Sequence, residues 1–176
     1  PHQPSVAVNL GAVNERLLRL AKETSTDMAA TLKAAGVKVV VGEGRLDGPH
    51  RVIVKTAGAT GKDFDSFDAD TVIVAVGARP RTLPSAEPDG KRILTWTQLY
   101  NLTEVPEHLV VIGSGVTGAE FASAYTNLGA KVTLGDVNGE ALDATVAEIR
   151  SSGVTAQGVV TDVTDLAAMK ALVAAA

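Results

Sequence analysis

The chain has 176 residues, 45% of them hydrophobic and 20% charged, with a formal net charge of −4. That length fits one medium domain or two small ones, and that balance builds a core rather than a disordered coil. The acidic balance argues against a nucleic-acid-binding face, and zero cysteines exclude disulfides, thiolate nucleophiles and cysteine-ligated zinc within this sequence. In chain order, the first expected element is a helix from Asn14 to Ala35, with Asn14 as its cap and Gly36 as its stop. Leu17, Leu18, Ala21, Met28 and Leu32 mark one broad apolar face of it. Strand-type runs follow at Val37–Val41, Arg51–Lys55 and Thr71–Val76, punctuated by Gly42, Gly44, Gly48, Pro49, Gly58 and Gly61. Connections this short suit a small antiparallel meander, with Thr71–Val76 a largely buried strand leaving it. Gly42-x-Gly44 does not read as a nucleotide loop, because Arg51–Lys55 alternates like a strand where a helix should begin.

Arg79 to Gly90 is an irregular, proline-rich linker, followed by a short helix near Thr95–Tyr100. Beyond Pro106 the pattern alternates regularly. Strands are expected at Leu109–Ile112, Lys131–Leu134 and Thr155–Thr161, and helices at Val116–Leu128, Gly139–Ser151 and Asp165–Ala175. Gly129 and Gly153 fit helix stops. Such alternation implies parallel strands joined by crossover helices. The expected fold is therefore α/β: a parallel βαβαβα half at 106–176, preceded by a helix, meander and linker at 1–105.

The most specific feature is Gly113-Ser114-Gly115-Val116-Thr117-Gly118, set between an apolar strand and a helix. In a Gly-x-Gly-x-x-Gly turn the first glycine permits the bend and the second admits a pyrophosphate. The third lets helix pack on strand. Asp136 closes the next apolar run 23 positions after Gly113 (136 − 113), where an acid accepts hydrogen bonds from an adenosine ribose. These residues point to a nicotinamide dinucleotide, with NADH favoured over NADPH because no Arg or Lys stands beside Asp136 to receive a 2′-phosphate. The plainer alternative is a structural turn, with Asp136 capping the next helix.

Residues ~1–134 resemble the flavin-dependent pyridine nucleotide–disulfide oxidoreductases, nearest the lipoamide-dehydrogenase-like branch that includes NAD(P)H:quinone reductases. The resemblance is carried by Ala75-Val76-Gly77-Ala78-Arg79-Pro80, Pro84, Ile93-Leu94-Thr95-Trp96-Thr97-Gln98-Leu99-Tyr100 and Gly118-Ala119-Glu120-Phe121. It implies that Gly77 lies near FAD, that Val116 sits where nicotinamide approaches the flavin, and that Glu120 faces the flavin's redox edge. The family's N-terminal ADP-binding loop, paired cysteines and His-Glu dimerisation domain have no counterpart here, so the chain reads as an internal segment. After Leu134, Asp136 and Asp162-Val163 resemble the front half of a short-chain dehydrogenase, which implies an adenine contact at Asp162 and Val163. That family's own glycine loop and Tyr-x-x-x-Lys pair are missing, so the simplest expectation is a chimera joined near Leu134.

The resulting expectation is an NAD(H)-binding segment of a flavoprotein oxidoreductase, passing hydride through FAD to a quinone or disulfide and weak or inactive alone. A non-catalytic nucleotide-binding or structural α/β chimera is the alternative. Asp162 could instead cap the final helix with Thr164, Glu120 could be a plain helix-surface residue, and Arg79 and Arg81 read as solvated. No catalytic residue is assigned. His2, His50 and His108 have no metal-ligand spacing, and no metal is expected. No apolar run spans a membrane and Pro1-His2-Gln3-Pro4 lacks a signal's basic start, so a soluble, cytoplasmic chain is expected. Exposed sheet edges in the first 105 residues suggest association with another copy or a complementary segment.

Overall fold

A computed structural model describes residues 8–56 and 64–176. Gly58, Gly61, Lys62, Asp63 and His2 lie outside the described residues. Two compact units divide the chain: one holds the described residues up to Arg16 with Pro84–Ala176, the other those of Leu17–Leu83.

The helix α1 (Leu10–Ala34) starts four residues earlier than its expected cap. Asn9 caps it, its side-chain oxygen accepting from Ala12 N–H at 3.0 Å. Asn14 is therefore inside the helix. It is buried, and its amide donates to the Leu102 and Leu99 carbonyls at 2.8 and 3.3 Å. A polar residue ahead of an apolar run looks like a cap, but here it is a tertiary tie to a distant turn. Gly36 ends α1 as expected, its φ of +79° suiting the left-handed stop. Leu17, Leu18, Met28 and Leu32 remain exposed, so their helical spacing does not face a core among the described residues.

The meander exists, with the expected strand at Arg51–Lys55 in its centre and other strands on either side of it. β1 (Gly42–Leu46), β2 (Arg51–Thr56) and β3 (Asp65–Asp68) pair antiparallel in that order. Gly42 and Gly44 thus lie in a strand rather than a ligand loop. Gly42 has no room for a side chain, since a Cβ would fall 2.4 Å from the Lys55 carbonyl oxygen. Val37–Val41 and Thr71–Val76 form no ladder among the described residues, and Ile73 and Val76 are 86% and 88% exposed. The expectation of a buried strand at Thr71–Val76 is corrected. β-branched residues favour extension, but a strand needs a partner for its N–H and C=O groups.

The other unit follows the expected alternation closely. A 3₁₀ turn (Trp96–Asn101) precedes β4 (His108–Ile112), α2 (Val116–Asn127), β5 (Lys131–Asp136), α3 (Gly139–Ser151), β6 (Ala156–Val160) and α4 (Leu166–Ala174). The strands are parallel in the order β4-β5-β6. β5 is central, and Val132 through Gly135 are all buried, as befits a parallel strand covered on both faces. Leu134, Leu142, Val146 and Ile149 form the core with Ala122 and Tyr125. Leu10, Leu99 and Leu102 pack into the same cluster, which joins the start of α1 and the 3₁₀ turn to this sheet. Each fully buried Leu contributes about 1.5–3 kcal/mol of transfer free energy. All three strands therefore end at one rim, and the loops that leave that rim carry the glycine motif and Asp136.

Candidate functional site

At the end of β4 the chain must turn sharply into α2. Gly113 makes the turn at φ +99°, where a side chain would be strained, and its N–H donates to the Gly135 carbonyl at 2.8 Å. Gly118 serves packing: a Cβ there would fall 1.9 Å from the Gly113 carbonyl oxygen and 3.4 Å from Val111 Cγ1. Gly115 differs from both. Its φ of −66° and ψ of 179° suit any residue, and a Cβ would meet nothing within 4 Å. The fold explains the first and third glycines but gives no reason for the second.

Gly115 also caps α2, so the helix begins without a side-chain acceptor for its first N–H groups. α3 and α4 are capped differently, by Asn138 accepting from Ala141 N–H and by Asp165 accepting from Ala167 N–H. The first intrahelical bond of α2 is Ala119 N–H to the Gly115 carbonyl at 2.9 Å, which leaves the preceding N–H groups directed outward. Val116, Thr117 and Glu120 are exposed around this end.

Asp136, at the end of β5, is bound to the loop. Its Oδ2 accepts from Ser114 N–H at 2.7 Å and from Ser114 Oγ at 2.9 Å, and its Oδ1 from Asn138 N–H at 2.9 Å. The Ser114 N–H, then the Asn138 N–H, hold its carboxyl below the usual range, and partial burial opposes them. Ser114 is buried, and its carbonyl accepts from the Thr145 hydroxyl of α3 at 3.3 Å. Loop, strand end and following helix are thus tied at one point.

Asp162 and Val163 follow β6. Thr161 N–H donates to the Asp136 carbonyl at 2.8 Å, so these residues leave the sheet beside Asp136. Asp162 Oδ1 accepts from the Thr164 hydroxyl at 2.7 Å and its N–H at 2.8 Å, which lowers the carboxyl's pKa. Asp162 does not cap α4; Asp165 does. Gly77, at φ +69°, belongs to the other unit, as do Arg79 and Arg81, which are exposed. His108 is exposed at the start of β4. Among the described residues no cluster of His, Asp and Glu could hold a metal, and no helix is long and apolar enough to cross a membrane.

The sequence reading names Gly113–Gly118 and Asp136, and the structure brings them together. It does not find the tie between Ser114 and Asp136, the Asn138 N–H or Thr145. Sequence separations of 22 and 31 leave no local signal, although Asn138 before Gly139-Glu140 is readable as a helix cap.

A parallel β-α-β unit with a glycine turn and an acid at the second strand's end defines a nucleotide-binding class of fold. The family model for pyridine nucleotide-disulphide oxidoreductases matches residues 2–167, and the chain belongs to that family. The matched range extends past Leu134, the expected join. The chain is 49% identical over 131 residues to an NAD(P)H dehydrogenase (quinone) of Mycobacterium tuberculosis, covering 72% of this chain and 26% of that protein. It is 35% identical over 145 residues to a dihydrolipoyl dehydrogenase of Chlorobaculum tepidum, covering 82% and 30%. The crystal structure of LpdA from M. tuberculosis superposes with a TM-score of 0.70 at 40% identity, over 89% of this chain and 36% of that one. The flavoprotein disulfide reductase RclA of Escherichia coli shares the fold, with a TM-score of 0.65 at 21% identity, over 88% of this chain and 36% of that one. The chain thus spans only about a quarter to a third of the length of these relatives.

Proposed function

We propose that residues 106–176 bind NADH, as the pyridine-nucleotide half of a flavoprotein that reduces a quinone or a disulfide. The observation that carries this reading is the open space at Gly115 beside a fixed carboxylate at Asp136. A glycine with ordinary dihedrals and free room around it keeps that room for a group from outside the chain. A pyrophosphate fits it, because the uncapped start of α2 offers N–H groups and a partial positive charge. Asp136 then receives the adenosine ribose, and a 2′-phosphate would meet its negative charge.

The fit is chemical as well as steric. Asp136 stays ionised throughout the neutral range, because its donors hold its pKa down. Family membership supports both cofactors, NAD(P)H and FAD. When bound, the nicotinamide supplies a hydride and the flavin accepts it for delivery to the acceptor. This chain's own residues would bind and orient: Gly113–Gly118 would seat the phosphates, and Val116 and Glu120, exposed at the start of α2, would serve the nicotinamide and the flavin. Gly77 belongs to the FAD side. On the adenosine side, Asp162 and Val163 flank the adenine in the manner of a short-chain dehydrogenase, which is the chimeric feature of this reading.

The test is Gly115→Val. A Cβ at 115 meets nothing within 4 Å, so a branched side chain grows into the space kept for the phosphate. NADH affinity should fall at least about tenfold while thermal unfolding shifts by only a few degrees, since ~1 kcal/mol moves Tm by about 2–8 °C in domains of this size range. Unchanged NADH affinity in a folded variant would overturn the reading.

A further inference from the structure

Thr71–Val76 has the composition of a strand and none of its pairing. Five of its six residues are β-branched. Ile73, Val74 and Val76 are 86%, 63% and 88% exposed, and exposure of consecutive residues leaves both faces of the segment open. Among the described residues no backbone hydrogen bond reaches residues 71–76. Its start is nevertheless fixed. Ala69 N–H donates to the His50 carbonyl at 2.8 Å, and His50 Nδ1 lies 3.2 and 3.1 Å from the carbonyls of Ala69 and Asp70. Two carbonyl acceptors call for the proton on Nδ1, so the ring holds the end of the meander at Asp70. Beyond Val76 the chain turns at Gly77, φ +69°.

The charges on either side indicate what such a segment pairs with. Asp68 and Asp70 precede it, Arg79 and Arg81 follow it, and no charged residue lies between Asp70 and Arg79. All four are exposed. Asp68 is paired with Arg51 inside the meander at 2.6 Å, so Asp70 carries most of the charge at its end. A parallel, in-register pair of copies sets acid beside acid and base beside base, which opposes pairing. An antiparallel pair sets the acidic end of each copy beside the basic end of the other. The register follows from the apolar content. With Val74 opposite Val74, Val72 faces Val76, Ile73 faces Ala75 and Thr71 faces Gly77, and the charged ends fall outside the apolar stretch. We propose that Thr71–Val76 is the contact through which two copies of this chain associate, as an antiparallel two-stranded ladder centred on Val74. The pairing is isologous and closed, and it satisfies the N–H and C=O groups along one edge of each copy.

The sequence has no cysteine, so single cysteines report the register directly. Val74→Cys brings two sulfurs together at the two-fold axis, within the roughly 4.4–6.8 Å Cα separation that a disulfide spans. Val72→Cys does not, because an offset of four residues separates the two copies of position 72 by about 13 Å. Under mild oxidation the full chain carrying V74C should form a covalent dimer, and V72C should stay monomeric. Cross-linking of both to the same extent means parallel pairing and overturns the proposal, as does cross-linking of neither. Sedimentation of the wild-type chain should show a dimer in the micromolar range. Val74→Lys should weaken that association at least about tenfold and leave the circular dichroism spectrum unchanged, since position 74 is exposed within each copy. A wild-type chain that stays monomeric, one that grows beyond a dimer, or a V74K dimer as tight as wild type overturns the proposal. None of these outcomes bears on the NADH reading, which concerns the other unit.

Discussion

Gly115 and Gly118 are three positions apart in one motif and have opposite tolerances. An alanine at 118 would place its Cβ 1.9 Å from a backbone oxygen, which neither rotamer change nor side-chain motion relieves. Gly118→Ala should therefore destabilise the protein by at least the ~1–3 kcal/mol typical of overpacking. Gly115→Ala should cost no more than the ~1 kcal/mol of a poorer helix cap. Paired denaturation curves check this contrast, and equal losses would contradict it. Asp136 makes a further prediction. Its folded-state pKa is depressed, so its contribution to stability is present above the unfolded value of about 3.9 and is lost as pH falls through the lower folded value. Asp136→Asn should flatten that part of the acid-unfolding profile. Asp136 was recognisable in the sequence by its distance from Gly113. Its hold on Ser114 was not, because a hydrogen bond across 22 residues depends on where two strands end.

At the scale of elements, the alternating half was readable almost to the residue. α3 falls at Gly139–Ser151 as its pattern dictates, since a cap, a first-turn Glu140 and a last-turn Arg150 all agree with its apolar period. The first half was harder to read because its outcome depends on partners. Val37–Val41 has strand composition and no ladder, whereas Asp65–Asp68, with two aspartates, is a strand because β2 lies beside it. Asn14 failed as a cap for a related reason, as its acceptors lie 85 and 88 residues away. Asn14→Ala should cost about 1–3 kcal/mol, the range for leaving a buried acceptor, here the Leu102 carbonyl, unpaired, and urea unfolding reads it. The turn at Asp89 is a self-contained counterpart. Its carboxylate accepts from the N–H groups of Lys91, Arg92 and Ile93, with Ile93 first among the causes of a pKa lowered to about 2. The turn should hold above pH ~4 and loosen as pH falls through about 2, and the Asp89 carboxyl shift followed by NMR checks it.

At the scale of the whole molecule, the chain is a member of the pyridine nucleotide-disulphide oxidoreductases that covers about a quarter to a third of its relatives' length. Its glycine turn and the Ser114–Asp136 hydrogen bonds meet at the C-terminal rim of β4-β5-β6, where open sheets of this kind receive ligands. The central claim is that this rim binds NADH and disfavours NADPH through Asp136. Calorimetric titration of the 176-residue chain with each dinucleotide tests it most directly. The account predicts micromolar binding of NADH and at least about tenfold weaker binding of NADPH, the cost of bringing a 2′-phosphate to an ionised carboxylate. Equal affinity for the two, or binding of neither, would contradict it.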